Sequence, residues 1–131
     1  MGSFTNYLEL QLLDHVLEVG DYTSPTIYVG LCTADPTDAA TGASSNEVSG
    51  GSYARVAVPE WDVAAAGATE NTSTITFPTA SASWGTVTFF CLYDALTGGN
   101  ALLYGALDVS KTVGIGDILV FAAGAIDITL D

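Results

Sequence analysis

Proton transfer, metal binding and anion recognition each need particular side chains, and this chain of 131 residues has few of them. It holds one histidine, one lysine and one arginine against fifteen aspartates and glutamates. That inventory is too thin for most acid–base or nucleophilic mechanisms. His15 lies between Asp14 and Val16 in a stretch of helical period, where a helix-surface or subunit-contact histidine is expected. Glu60 and Asp62 have the residue types of a glycoside-cleaving acid and base pair, the remotest of the readings. Asp35, Asp38, Asp94 and Asp117 fall in turn-like segments where carboxylates can gather around calcium, but without the ligand spacing of a calcium loop. They read as turn-forming aspartates that bond their own backbone. Gly114-Ile115-Gly116 lacks the third glycine and the following helix of a nucleotide loop. Asn71-Thr72-Ser73 matches a glycosylation acceptor, a match that matters only in a secreted eukaryotic protein. No catalytic, cofactor-binding or metal residue is assigned, and no enzyme is expected.

The charge balance bounds the partners. A net charge of −13, with Arg55 and Lys111 the only basic side chains, repels phosphate backbones and anionic membranes. Neither nucleic acid nor membrane is expected as a partner. No run approaches the roughly 20 apolar residues of a membrane helix, and the amino terminus lacks the basic-then-apolar order of a signal peptide. Cys32 and Cys91 each sit in an apolar strand pattern without CxxC spacing and read as buried free thiols, with a disulfide between them the lesser alternative.

These side chains need elements to position them. The central one is Trp84 to Val109, two apolar β-rich runs around a Gly-Gly-Asn turn. Pairing Tyr93 with Ala101 puts Val87, Phe89, Cys91 and Tyr93 on one face with Ala101, Leu103, Gly105 and Leu107, and sets Phe89 over Gly105. The other face, with Phe90, Leu92, Leu102 and Tyr104, is too apolar to be left wet. Its surplus predicts a homo-oligomer, a trimer, with Phe90 and Tyr104 in the interface.

Ahead of the hairpin, residues 3–18 carry an amphipathic helical pattern with Phe4, Leu8, Leu12 and Val16 as the apolar stripe, Leu13 and Leu17 widening it, and Gly20 as the stop. That stripe is expected to cover either its own sheet or a neighbouring subunit. Thr26–Thr33, Tyr53–Val58, Thr72–Phe77, Ile118–Phe121 and the carboxy-terminal run read as strands. In the second of these Tyr53 and Arg55 face outward; in the last, Ile126, Ile128 and Leu130 point in while Asp127, Thr129 and Asp131 point out. Residues 34–52, rich in Ala, Ser, Thr and Gly, are expected to project from the body as a loop that is either mobile or ordered only by a neighbour. One domain over 1–131 follows, an all-β antiparallel β-sandwich or jelly roll of about seven to eight strands at 26–131 with one N-terminal amphipathic helix.

Several stretches in order, FTNYLELQLLDHV (4–16), YVGLCTADPT (28–37), SGGSYARVAV (49–58), the run from Ile75 to Leu107 and that from Ser110 to Asp131, resemble a family of small tailed-bacteriophage virion proteins known as phage tail fibre proteins. The resemblance implies a structural virion protein, made in the host cytoplasm and placed on the outer surface of the particle. A fibre needs length, yet the chain has neither heptads nor repeats. The leading expectation is therefore an acidic, trimeric capsid decoration (cement) protein that ties neighbouring capsomers, with itself and the major capsid protein as partners. The alternative is a tail-fibre or adhesion module binding a host-surface receptor, with Tyr53, Trp61 and Trp84 as candidate stacking residues.

Overall fold

Alternating and continuous apolar runs become strands here, and a computed structural model describes residues 3–130. In chain order the elements are β1 (Ser3–Phe4), α1 (Asn6–Val16), β2 (Tyr28–Cys32), β3 (Val56–Ala57), β4 (Ala68–Glu70), β5 (Ile75–Thr76), β6 (Gly85–Tyr93), β7 (Ala101–Val113), β8 (Val120–Phe121) and β9 (Asp127–Thr129). All pairings are antiparallel. A five-stranded sheet runs β1-β7-β6-β2-β3, and two ribbons, β4-β9 and β5-β8, accompany it. Val29, Leu31, Phe90 and Leu92 of the large sheet share a core with Ile75, Phe77, Leu119 and Ile126 from the ribbon segments. This is an all-β sandwich with one short helix. Its nine strands are the seven read from the sequence plus Ser3–Phe4 and Ala68–Glu70, both too short to leave a periodic signal.

The helix is shorter at both ends than its apolar stripe suggests. Ser3 and Phe4 pair with Tyr104 and Leu103 as strand. Thr5 then caps the helix, its hydroxyl accepting from the Leu8 amide and donating to the Ala101 carbonyl at 2.7 Å. Leu17 is the C-cap, and Glu18, at φ 60°, takes the left-handed turn ahead of Gly20.

The central hairpin begins in the expected register, Tyr93 opposite Ala101, but the next pair is Leu92 with Leu103. One extra residue of β7 has been inserted, and such a bulge inverts the alternation beyond it. Phe90, not Phe89, therefore lies opposite Gly105, and the face of β6 that it shares with Leu92 is the one packed into the main core. A second irregularity sets Phe89 against Ala106 but Val87 against Lys111, so that one residue of β6 spans four of β7. Beyond it Thr86 and Thr112 meet across the strands at 3.0 Å.

The expected mobile loop is instead packed. Pro36, Ala40, Gly42, Ser45 and Val48 are buried, and Ala40 joins Cys32, Cys91, Tyr93 and Ala101 in a second core on the far face of the sheet. The small residues that looked too polar to anchor a loop are those that let its backbone lie close on the sheet.

Candidate functional site

Arg55 is the residue whose placement departs furthest from expectation. Tyr53–Val58 forms strand only at Val56–Ala57, and the irregular backbone before it turns Arg55 inward, with its side chain 3% exposed. Its Nε and one Nη donate to the Glu47 carboxylate at 2.8 Å each. The remaining donors go to the carbonyls of Gly42, Ala95 and Gly98 at 2.8–2.9 Å. All five N–H groups of the guanidinium are thus satisfied. Tyr53 donates to the same carboxylate at 2.7 Å and accepts from the Leu31 amide. Burial works against the charge of Arg55, but the hydrogen bonds and charge of Glu47 together outweigh it and hold the guanidinium above its ordinary pKa. Burial, then Glu47, likewise raises the Tyr53 phenol. This cluster ties the 34–52 loop and the hairpin turn to the sheet. With every donor engaged, it is structural and offers a ligand nothing.

The surface carries two concavities, one mainly apolar and one of mixed lining. One, of about 610 Å³, lies between α1 and the sheet and is lined by Phe4, Leu8, Leu12, Tyr22 and Trp61 among others. The other, of about 700 Å³, lies where β7 departs from β6 and faces β8, lined by Leu107, Val109, Ile118, Val120 and Phe121 with Lys111 at its side. Beside the first, the outer face of α1 shows Leu10, Leu13 and Leu17, all more than half exposed. Their spacing of three and four residues makes one stripe, opposite the Leu8–Leu12 face that meets the sheet.

The expected interface residues fall in different places. Phe4, Leu8 and Leu12 come together, but around the groove within the chain, with Leu8 buried. Val16 is 73% exposed. Phe90 lies in the core and not at an interface, because it shares a face of β6 with Leu92, opposite Leu31 and Val29 of β2, and that is the face the ribbon segments cover. Tyr104 stays near the surface, where its hydroxyl donates to Asp38, and that hydrogen bond raises its pKa to about 12. Of the candidate stacking residues, Tyr53 and Trp84 are used internally, their rings edge to face at 5.4 Å with the Trp84 indole donating to Gly51. Trp61 alone opens onto a groove.

The turn aspartates behave as their residue type suggests. Asp35, Asp94 and Asp117 accept from the amides of Thr37, Asn100 and Gly114. Among the described residues no group of three or more His, Cys, Asp or Glu side chains is placed to hold a metal. Glu60 and Asp62 are exposed, and so is His15, whose Nδ1 accepts from the Tyr22 amide at 3.3 Å. Asn71 is buried, bonded to Ser73, Ala122 and Ile126, so its side chain is closed to modification in the fold. Cys32 and Cys91 are buried free thiols, pushed up to about 12 chiefly by burial.

Sequence reading missed the β7–β8 groove and Leu10. The signals were present. Leu10, Leu13 and Leu17 repeat at three and four residues as regularly as Leu8 and Leu12, and Ile118–Phe121 is apolar at every position although a two-residue ribbon strand cannot bury both its faces.

The exposed surface of this acidic β-sandwich thus combines an apolar helix ridge with an apolar and a mixed groove. Residues 3–129 match the Gp80 family, described as podophage GP4 fiber I protein gp80, and the chain belongs to that family. It is a bacteriophage structural protein of tail-fibre type. No curated protein matches it.

Proposed function

We propose that the protein is a structural component of a phage tail fibre, acting through protein–protein contacts and not through catalysis. The match of residues 3–129 to a fibre family supports this reading over capsid decoration, to which the same acidic sandwich is otherwise suited. The observation that carries it is the character of the exposed surface: an apolar helix ridge, an apolar groove beside it and a second groove of mixed lining, with the Arg55–Glu47 ion pair consumed by the fold. Its partners are proteins of the same particle, other copies of itself first; the trimer expected from the sequence is one such assembly. A net charge of −13 argues against nucleic acid and anionic membranes as partners. Receptor binding by the tail is a second role, favoured only by the position of Trp61 on the α1 groove. Gold-labelled antibody against the protein tests the reading on intact particles. Label confined to the tail supports it, whereas label spread over the head returns the decoration reading.

A further inference from the structure

The two edges of the large sheet are finished differently. Next to β3, the edge of β2 is sealed by the 34–52 loop, the Val48 amide donating to the Leu31 carbonyl and the Thr33 amide to that of Asn46. The other edge is open. β1 reaches only Leu103 and Tyr104 of β7, and among the described residues no strand is paired outside Gly105–Val113. Leu107–Ser110 are paired on neither side, since Thr88 of β6 spans them alone, and its hydroxyl is buried without a partner. Free N–H and C=O groups along such an edge are bonding sites for another extended chain. We propose that this edge takes an extended, basic segment of another protein, added as a further strand beside β7 in the β7–β8 groove. The proposal deepens the structural reading above and rests on it only for which particle supplies the partner.

Topology, lining and charge each bear on the occupant. β8 follows β7 after a tight turn but pairs with β5, so the groove of about 700 Å³ opens between two strands that do not bond to each other. Val109, Ile118 and Val120 stand about half exposed or more in it, together with Asp108, Asp117 and Asp127. A mixed lining of this kind suits a strand whose side chains alternate, apolar on one side and charged on the other. Three carboxylates against Lys111, the only lysine in the chain, leave the groove net negative, so the complementary side chains are lysines or arginines. A second copy has none to give. Lys111 belongs to the groove itself, and Arg55 spends every donor within the fold. The partner is therefore a different protein.

The same charge acts as a filter. An open strand edge is a hazard because it pairs with any extended chain, its own copies included. Two β7 edges brought together would set one acidic groove beside another, at a cost in repulsion that a basic strand does not meet. Charge and backbone thus divide the recognition between them. Opposite charge draws the segment in and weakens as salt rises. The backbone fixes its orientation, since only alternate amides of an added strand face its neighbour.

Fluorescence anisotropy with the full chain tests this, the probe being a labelled peptide in which valine alternates with lysine or threonine. A second peptide carries glutamate for lysine, and two more are N-methylated on alternate amides, one on the valines and one on the residues between them. The lysine peptide is expected to bind, less tightly as sodium chloride is raised, and the glutamate peptide about tenfold more weakly or worse. Of the two methylated peptides, one is expected to lose binding about tenfold and the other to keep it, according to which amides face β7. Asp108→Asn with Asp127→Asn, shown folded by circular dichroism, is expected to weaken binding about threefold or more. Should that variant misfold, Val120→Lys, which sets a second cation in the groove, takes its place with the same expectation. A lysine peptide that does not bind overturns the proposal, and so does a glutamate peptide that binds as well. Methylated peptides that bind equally mean charge attraction without an added strand, and folded variants that bind as the unaltered chain does mean a site elsewhere; either result overturns it. None of these results moves a gold label from the tail, so failure here and failure of the tail assignment are separable.

Discussion

The guanidinium carbon of Arg55 lies 3.5 Å from the centroid of the Tyr93 ring. That stacking brings together three segments far apart in sequence: the strand start at residue 55, the end of β6, and, through Glu47 and Gly42, the loop that follows β2. Tyr93 in turn meets the Ser45 hydroxyl at 2.6 Å. A buried cation on an aromatic face gains from the ring quadrupole, and here its in-plane donors are taken up at the same time. The far face of the sheet is thereby closed by polar bonds where a second sheet would ordinarily close it with apolar side chains.

Arg55→Lys is expected to destabilise the fold by about 3 kcal/mol or more. A lysine keeps the charge but offers three donors on a point charge, so it loses the fork on Glu47 and most of the carbonyl contacts, and leaves a buried carboxylate poorly paired. Urea unfolding measures the loss, and limited proteolysis locates it, since residues 34–52 should resist cleavage in the unaltered protein and be nicked in the variant. A change below about 1 kcal/mol would show that the pairing is replaceable by water.

Much of this architecture was legible in the sequence. The helix, the hairpin and its first register pair come from periodicity and turn chemistry, which act locally. What was not legible depends on tertiary context. The bulge at Leu92–Tyr93 leaves no residue signature, yet it exchanges Phe89 for Phe90 opposite Gly105, and both faces of β6 are apolar enough that the sequence does not show which one the ribbon segments cover. Arg55 reads as an outward residue in an alternating strand until Glu47, eight residues earlier, is placed beside it by a loop whose own composition argues for mobility. The candidate surfaces were half legible: Leu8 and Leu12 showed the inward face of α1 but drew attention from the outward one.

The corrected register makes a paired prediction. Phe90 is 4% exposed in the main core, so Phe90→Ala is expected to cost about 3–5 kcal/mol through lost burial and a residual cavity. Phe89 is half-buried in the smaller second core and Phe89→Ala is expected to cost about 1–2 kcal/mol. Equilibrium urea denaturation of both variants checks the order. Equal losses, or a larger one at Phe89, would contradict the assignment of the Phe90–Leu92 face of β6 to the main core.

Gly42 is where the loop backbone touches the hairpin turn. Its amide donates to the Gly99 carbonyl at 3.2 Å, its carbonyl accepts from Arg55, and a Cβ there would run into the carbonyls of Gly98 and Gly99. Gly42→Ala is therefore expected to destabilise by about 1–3 kcal/mol through overpacking. Gly50 is the control, a left-handed glycine (φ 75°) with open space around its Cβ position. Gly50→Ala should lose only the backbone preference of glycine, about 1 kcal/mol. Differential scanning calorimetry should rank the melting temperatures as unaltered, then Gly50→Ala, then Gly42→Ala. Calorimetric profiles with Gly42→Ala as stable as the parent would mean that the loop lifts off the turn at little cost.

The last prediction concerns alkaline pH and follows from four weak acids gathered against the sheet, Cys32, Cys91 and Tyr93 on its strands and the partly buried Tyr53 ahead of β3. Burial pushes the thiols of Cys32 and Cys91 from 9.0 up to about 12, and raises the phenols of Tyr53 and Tyr93 above their ordinary 10.0, with the nearby cysteines and Glu47 adding to the effect. For groups held protonated more tightly in the folded state, stability is fully present below the unfolded pKa and is lost as pH rises through the folded one. Between about pH 9 and 12 the unfolded chain releases protons that the folded chain retains, and each such group then lowers stability by about 1.4 kcal/mol per pH unit. The urea midpoint is expected to be flat from pH 7 to about 9 and to fall steeply above it, and the double variant Cys32→Ser, Cys91→Ser should fall less steeply between about pH 9 and 10, where only the thiols contribute. Fluorescence-monitored titrations of both proteins measure this. A midpoint that stays flat to pH 11 would mean that thiols and phenols reach solvent in the native state, and with them the loop that covers Tyr93.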